Sequence, residues 1–137
     1  MKYMLDTNIC IYIIKQKPKK VLDKFQSLKI GDICISMITF AELEYGVEKS
    51  EYTEKNRTAL TSFLAPIEIL PFNQKAAIKY AEIRAKLEKQ GNVIGAYDLM
   101  IGAHAFAENL TLVTNNEKEF NRILELSIEN WGELLGN

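Results

Sequence analysis

The sequence is poor in residues that several kinds of catalytic site require. It has a single histidine, His104, which excludes a metal-free mechanism that shares proton transfer between two histidines. With only two cysteines, no Cys/His cluster has the spacing of a zinc site. A glycine-rich phosphate loop and the Gly-x-Ser-x-Gly turn of serine hydrolases are both missing from the sequence. We therefore expect His104 to be a core or boundary residue.

Excess charge and long apolar runs are also scarce. The net charge is −1 at pH 7, which argues against a protein that coats nucleic acid through an overall positive field. No stretch approaches the ~20 apolar residues of a membrane span, and the N-terminus has no signal-peptide pattern. Cys10 and Cys34 lie in apolar segments, so we expect both to be reduced and buried in a cytoplasmic protein.

What the sequence does contain is an alternation of short apolar runs with helical patterns. Strands are expected at residues 3–5, 33–36, 67–70, 110–114 and, at an edge, 126–128. The clearest helices are expected up to Lys15, from about Thr39 and over residues 74–90. The alternation predicts one α/β domain over residues 1–137, with a parallel sheet that binds ligands beyond the carboxyl ends of its strands. Trp131, Leu134 and Leu135 are expected to close the core.

Acidic side chains recur where a strand ends or a helix begins. The polar residues at these places are Asp6, Glu42, Asp98, Asn116 and Glu119. Helix capping is one explanation: Asp6 suits an N-cap, and Glu42 stands three residues after Thr39 as in a capping box. The other explanation is a shared site at one edge of the sheet, and the residues alone leave both open.

Carboxylates gathered at one edge repel one another, and they must take up protons or a cation. An all-oxygen set suits Mg²⁺ or Mn²⁺, which activate water for attack on a phosphodiester. Gly102 and Ala105 lie on the helix face of Asp98, and we expect their small size to leave room there for an ion or phosphate.

Basic side chains are concentrated in one local segment. Between residues 15 and 29 there are six lysines and one acid, Asp23, on an amphipathic helical pattern. A solvated outer face is the simple explanation, and a local platform for phosphates is the functional one. Arg84 borders the apolar stripe of the 74–90 helix, where an arginine that extends to solvent is the default interpretation.

Four segments together carry a resemblance to a known family. They are Met4-Leu5-Asp6-Thr7-Asn8, Ser36-Met37-Ile38-Thr39-Phe40-Ala41-Glu42-Leu43, Ile94-Gly95-Ala96-Tyr97-Asp98 and Leu112-Val113-Thr114-Asn115-Asn116. In their order and placement they resemble the PIN-domain nucleases, and among these the VapC-type toxins of bacterial toxin–antitoxin pairs. The resemblance covers almost the whole chain. It implies a three-layer α/β/α fold with a parallel sheet of about five strands, and a Mg²⁺- or Mn²⁺-dependent endoribonuclease site.

The resemblance also implies roles for individual residues. Asp6 and Asp98 would be the main metal ligands, Glu42 a direct or water-mediated one, and Thr7, Asn8 and Thr114 polar supports. Family members often carry Asp at the fourth acidic position, where this chain has Asn116, an uncharged oxygen donor for the metal. Glu119, about one helical turn later, would restore the missing charge and act with the catalytic acids.

The implied partners are a cognate VapB-type antitoxin, an RNA substrate and a second copy of the chain in a homodimer. Similar toxins cut RNA in single-stranded loops, and the anticodon loop of initiator tRNA is the best-known target. The candidates for holding the RNA backbone are Lys15, Lys17, Lys19, Lys20, Arg84 and Lys86. A catalytically weak PIN-like protein-binding module is the alternative, favoured by Asn116. A DNA-directed nuclease of the same fold is a third hypothesis, but the sequence lacks the extra arch or helical region that we would expect for threading DNA.

Overall fold

Five short strands form one parallel sheet in the computed structural model, which describes residues 1–132. The strands are β1 (Tyr3–Leu5), β2 (Ile33–Ser36), β3 (Glu68–Leu70), β4 (Thr111–Val113) and β5 (Ile128–Glu129). Their spatial order is β3-β2-β1-β4-β5, and every neighbouring pair is parallel. β1 is therefore central, and the chain crosses to β2 on one side of it and to β4 on the other. Such a change of direction opens a crevice at the carboxyl ends of the strands.

Seven α-helices among the described residues connect and cover these strands. They are α1 (Thr7–Lys15), α2 (Lys19–Gln26), α3 (Met37–Glu48), α4 (Thr53–Leu64), α5 (Gln74–Gln90), α6 (Ala96–Ala107) and α7 (Glu117–Phe120). The predicted helix over residues 74–90 is confirmed, and its C-cap, Gly91, has the left-handed backbone (φ 71°) that glycine adopts without strain.

The sheet is covered on both faces, because alternate strand residues point to opposite sides. In β1, Leu5 packs into a core with Ile9 of α1 and Leu43 of α3. Met4 packs instead into a second core with Leu87 of α5 and other residues of α5, α6 and α7. The three-layer α/β/α fold and the five-stranded parallel sheet are thus confirmed.

Several predicted boundaries were wrong by one or two residues. The helix expected from Thr39 begins at Met37, because Ser36 caps it by accepting a hydrogen bond from the Ile38 N–H (3.1 Å). The helix expected from Asp98 begins at Ala96. The edge strand expected over 126–128 is β5, at Ile128–Glu129. An apolar run in the sequence can continue beyond the residues that form ladder hydrogen bonds, so a strand predicted from the run can be too long or shifted by a residue or two.

Trp131 is fully buried and meets Tyr3 edge to face, as expected of a residue that closes the core. Leu134 and Leu135, expected beside it, lie outside the described residues, and the single domain over residues 1–137 stays a prediction. Across residues 1–132, no helix combines the length and the apolar character needed to cross a membrane.

Candidate metal centre at the carboxyl edge of the sheet

Asp6 directly follows the central strand and is only 4% exposed. Its N–H donates to the Val113 carbonyl (3.0 Å), and its Oδ1 accepts from the Ile9 N–H (3.0 Å), so it caps α1. Burial raises the pKa of Asp6 to about 6; hydrogen bonds from the Thr114 side chain and the Ile9 N–H lower it, and repulsion from Asp98 and Glu42 raises it further. Asp6 is therefore a helix cap and also a member of an acidic cluster.

Glu42 is held by Thr7, which in turn contacts Thr39. Its Oε1 accepts a hydrogen bond from the Thr7 hydroxyl (2.6 Å), and Thr39 Oγ1 lies 3.4 Å from Thr7 Oγ1. Because Thr7 gives its only hydroxyl hydrogen to Glu42, Thr39 is the donor available for the second contact. The explanation of Glu42 as part of a capping box with Thr39 was wrong, because Ser36 is the N-cap of α3 and Glu42 lies in the second turn of that helix.

Thr39 belongs to the site but was identified only as a helix cap from sequence. It is fully buried, and its hydroxyl lies against Thr7. The available signal was its position three residues before Glu42, which puts both on the same face of a helix.

Asp98 is the third residue of α6 and is half-buried. Burial raises the pKa of Asp98, and repulsion from Glu119 and then from Glu42 raises it further. The structure therefore brings Asp6, Glu42, Asp98 and Glu119 close enough to interact, although they are up to 113 residues apart in sequence.

The fourth position is occupied by two residues that bind each other. Glu119 Oε2 accepts from the Asn116 side-chain amide (3.2 Å), and Glu119 Oε1 accepts from the Gly95 N–H (3.0 Å). The Asn116 N–H donates to Thr114 Oγ1 (2.9 Å), so Thr114 contacts both Asp6 and this turn. Both carboxylate oxygens of Glu119 thus already have an N–H donor.

The room expected beside Asp98 is filled by protein. A Cβ at Gly102 would lie 2.8 Å from Ile123 Cδ1 and 3.2 Å from Phe120 Cε1. The absence of a side chain at Gly102 lets Phe120 of α7 and the following Ile123 pack directly on α6, so Gly102 does not leave space for an ion.

The other predicted site residues are scattered. Asn8 is exposed next to Thr7, and Arg84 binds Tyr80 and Glu88 of its own helix. Lys19 pairs with Asp23 on α2, while Lys17 is exposed and Lys20 is half-buried. Lys86 lines a separate cavity on α5.

Lys15 shares a groove with Glu42. This groove, of about 350 Å³, lies between α1, α3 and α4, and its lining also includes Ile11, Ile14, Leu43, Gly46, Val47, Lys49, Asn56, Ala59 and Leu60. Among the predicted RNA-binding residues, Lys15 is the one that lines this groove.

His104 is fully buried, as expected. Its Nδ1 lies 2.8 Å from Ser36 Oγ, and burial lowers its pKa. The Nε2 atom has no hydrogen-bond partner in the described part of the chain. His104 therefore links α6 to the end of β2 and takes no part in the acidic cluster.

The donor set fits a hard divalent cation that keeps part of its water shell. Within residues 1–132 none of the four clustered acids forms an ion pair with a basic side chain, so no protein cation neutralises their charges. No group of three or more His, Cys, Asp or Glu side chains in that range lies in position to hold a metal ion together, so at most two of these carboxylates would contact an ion directly. Mg²⁺ commonly binds through one or two carboxylates and several waters, which is what this open arrangement of oxygens allows.

Comparisons with known proteins agree with this geometry. Residues 3–126 match the PIN domain family model. The chain is 49% identical over 131 residues to "Ribonuclease VapC2" of Haemophilus influenzae, covering 96% of this chain and 98% of that protein. It is 44% identical to "tRNA(fMet)-specific endonuclease VapC" of Shigella flexneri, with the same coverage.

Among solved structures, the chain is similar to VapBC2 from Rickettsia felis bound to a DNA fragment from its promoter. The TM-score is 0.89 at 48% identity, and the match covers 96% of this chain and 99% of that one.

Proposed function

Since this chain belongs to the VapC ribonucleases of the PIN-domain family, we propose that it is a Mg²⁺- or Mn²⁺-dependent endoribonuclease and the toxin of a type II toxin–antitoxin pair. The observation that carries the proposal is the buried carboxyl of Asp6. Its pKa is raised to about 6 in a cluster with Asp98 and Glu42 at the carboxyl edge of the sheet. A carboxylate that is costly to ionise alone becomes stable when a divalent cation lies against it.

We assign the cation to Asp6 and Asp98, with Glu42 as a water-mediated ligand. When bound, the cation supplies activation of water and neutralises charge on the departing oxygen of the phosphodiester. Thr7 orients Glu42 through its 2.6 Å hydrogen bond, and the Thr114 side chain orients Asp6. Asn116 and Glu119 close the fourth side of the cluster through their mutual hydrogen bond.

The proposed substrate is RNA in a single-stranded loop, and the anticodon loop of initiator tRNA is the specific candidate. One relative's name specifies tRNA(fMet), which supports that choice. A single-stranded loop can present its backbone and unstacked bases to a protein site, whereas a regular RNA helix cannot. Lys15, beside Glu42, is the first residue we expect to contact the phosphates. Such a substrate places the activity in the cytoplasm.

The proposed partner is a VapB-type antitoxin, as in the Rickettsia VapBC2 complex. The groove between α1, α3 and α4 supports this, because its lining is mostly apolar and it reaches Glu42. A partner segment with an Arg or Lys at its end would neutralise the carboxylates and compete with the metal. The homodimer stays a prediction.

One observation favours the alternative of a PIN-like binding module. Asp6 caps α1, and the fourth position offers the uncharged Asn116 together with a carboxylate whose two oxygens already have N–H donors. If this is the function, Asp6 is a structural cap and no divalent cation supports cleavage.

The test is to incubate the purified protein with total RNA, with EDTA, Mg²⁺ or Mn²⁺, and to sequence the new RNA ends. We expect metal-dependent cleavage that falls by at least about 100-fold in Asp6→Asn and Asp98→Asn, since removing even a group that only supports a ligand costs about 10–100-fold. Asp23→Asn, on the outer face of α2, is the control. Wild-type cleavage in both acidic variants, or none with either metal, would contradict the proposal.

A further inference from the structure

The first turn of α6, which carries Asp98, has no strand directly before it. Asp6 follows β1, and α3 starts directly after Ser36 at the end of β2. In contrast, α6 follows α5 through residues 91–95, which are neither helix nor strand. The sheet therefore does not place Asp98 in the way it places Asp6, and other contacts must set the position of this turn.

The α7 region supplies two hydrogen bonds to that loop. Glu119 Oε1 accepts from the Gly95 N–H (3.0 Å), and the Arg122 guanidinium donates to the Val93 carbonyl. Both contacts are made to backbone atoms, so they fix the path of the loop whatever side chains it carries. Gly95 is also the N-cap of α6, three residues before Asp98.

The α7 region is itself held against the body of α6. Phe120 is fully buried and Ile123 is 4% exposed, and both pack on Gly102 so closely that a Cβ there would clash with Ile123 and press against Phe120. Residues of this region therefore contact the chain both before Asp98, at Val93 and Gly95, and after it, at Gly102. We call residues 116–123 the α7 bracket.

We infer that Arg122 and Glu119 are positioning residues for Asp98, and that Glu119 acts by accepting the Gly95 N–H and not by binding the metal. The Asn116 amide engages the other Glu119 oxygen, so the carboxylate is oriented toward the loop. The consequence for cleavage rests on the proposed function. The effect on the loop does not, because it is a property of the metal-free protein.

The decisive comparison is Glu119→Gln with Glu119→Ala. Glutamine keeps a carbonyl oxygen that can accept the Gly95 N–H, and Asn116 can turn its amide to accept from the new side-chain N–H. Alanine loses the contact entirely. Arg122→Ala removes the second contact, and Lys118→Ala, at an exposed position on the same turn, is the matched control.

Two measurements report on positioning: amide exchange in the metal-free protein, and Mn²⁺ binding when that protein is titrated with the metal. We expect amide exchange at Gly95 to accelerate in Glu119→Ala and Arg122→Ala, while exchange at Ile9, capped by Asp6, stays unchanged. We expect the Kd for Mn²⁺, measured by electron paramagnetic resonance, to rise about tenfold in the same two variants, as for other groups that orient a ligand. Glu119→Gln and Lys118→Ala should stay near the wild-type values.

Equal losses of Mn²⁺ affinity in Glu119→Gln and Glu119→Ala would overturn the inference, because they would show that the charge binds the ion. Unchanged Gly95 exchange in Arg122→Ala would overturn it as well. If Glu119→Ala does not fold, Arg122→Ala and Arg122→Lys carry the test, with partial retention expected for lysine. A failure of the proposed function would appear separately, as wild-type cleavage in Asp98→Asn with the exchange results intact.

Discussion

The two sides of the acidic site are built in different ways. On the strand-anchored side, formed by Asp6, Glu42, Thr7 and Thr39, a carboxylate follows β1 directly and its backbone joins the ladder at the Val113 carbonyl. On the tethered side, formed by Asp98 and the α7 bracket, the carboxylate is placed by side-chain contacts to a loop. A fold of this kind can vary Glu119 and Arg122 of the second side without changing the strand ladder, because these two side chains contact the loop before α6.

The largest difference between the sides should appear in stability. Asp6 is nearly fully buried, and burial raises its pKa from 3.8 to about 6. The folded state therefore favours the protonated acid, so the contribution of Asp6 to stability is full below pH 3.8 and is lost as the pH rises through 6. At one pKa unit per 1.36 kcal/mol, ionising Asp6 at neutral pH costs the metal-free protein about 2–3 kcal/mol.

We therefore predict that Asp6→Asn raises the free energy of unfolding at pH 7.5 in EDTA by about 2–3 kcal/mol, since asparagine also caps helices. The gain should shrink as the pH falls from 6 toward 4, which urea unfolding at several pH values will show. Asp98→Asn should gain less, because Asp98 is only half-buried. A loss of stability in Asp6→Asn at pH 7.5 would mean that the carboxylate stabilises α1 as its cap by more than its burial and its repulsion from Asp98 and Glu42 destabilise the fold.

A second prediction concerns how Glu42 is held. Thr7→Val removes the hydroxyl that donates to Glu42 at 2.6 Å. A hydrogen bond to a charged group contributes about 1.5 kcal/mol or more, so we expect kcat to fall about tenfold while KM for RNA changes little. Thr58→Val is the matched control, since its hydroxyl bonds only to its own helix at the Glu54 carbonyl. An unchanged kcat would show that Glu42 needs no support from the strand-anchored side.

The smallest predicted difference compares two helix glycines, one on each side. Gly46 of α3 has nothing within 4 Å of an added Cβ, so Gly46→Ala should stabilise the protein by about 0.5–1 kcal/mol through helix propensity. Gly102→Ala meets Ile123 and Phe120, and we expect it to cost about 1 kcal/mol and to weaken Mn²⁺ binding. Thermal unfolding of both variants, with and without Mn²⁺, checks the pair; a gain in Gly102→Ala would contradict close packing of α7 on α6.

Asp6 and Glu42 on the strand-anchored side could be selected from the sequence because their signals are local. A strand that ends on Asp6 and a helix that carries Glu42 near its start are visible within short windows, although the helix begins two residues earlier than predicted and Glu42 lies in its second turn. The tethered side was harder to predict, because Glu119 and Gly95 are 24 residues apart and their contact has no periodic pattern. The same holds for Gly102, whose partners Phe120 and Ile123 come from a later segment. Ser36 was overlooked as the cap of α3 because it also ends a buried strand.

The acidic charges were predicted, but their coupling depends on burial that a sequence does not show. Asp6 could be a cap or a ligand from the residues alone, and the structure makes it a cap within a repelling cluster. The basic residues illustrate the reverse case. Their composition allowed both a solvated face and a platform for phosphates, and the structure separates them: Lys15 lines the groove beside Glu42, while Lys19 and Arg84 bind neighbours on their own helices.

Titration of the metal-free protein with Mn²⁺ at pH 7.5 tests most directly whether Asp6 and Asp98 together hold a cation. Binding should be detected in the wild type and lost in both Asp6→Asn and Asp98→Asn, although the first lies on the strand-anchored side and the second on the tethered side. Undiminished Mn²⁺ binding in both variants would contradict the account.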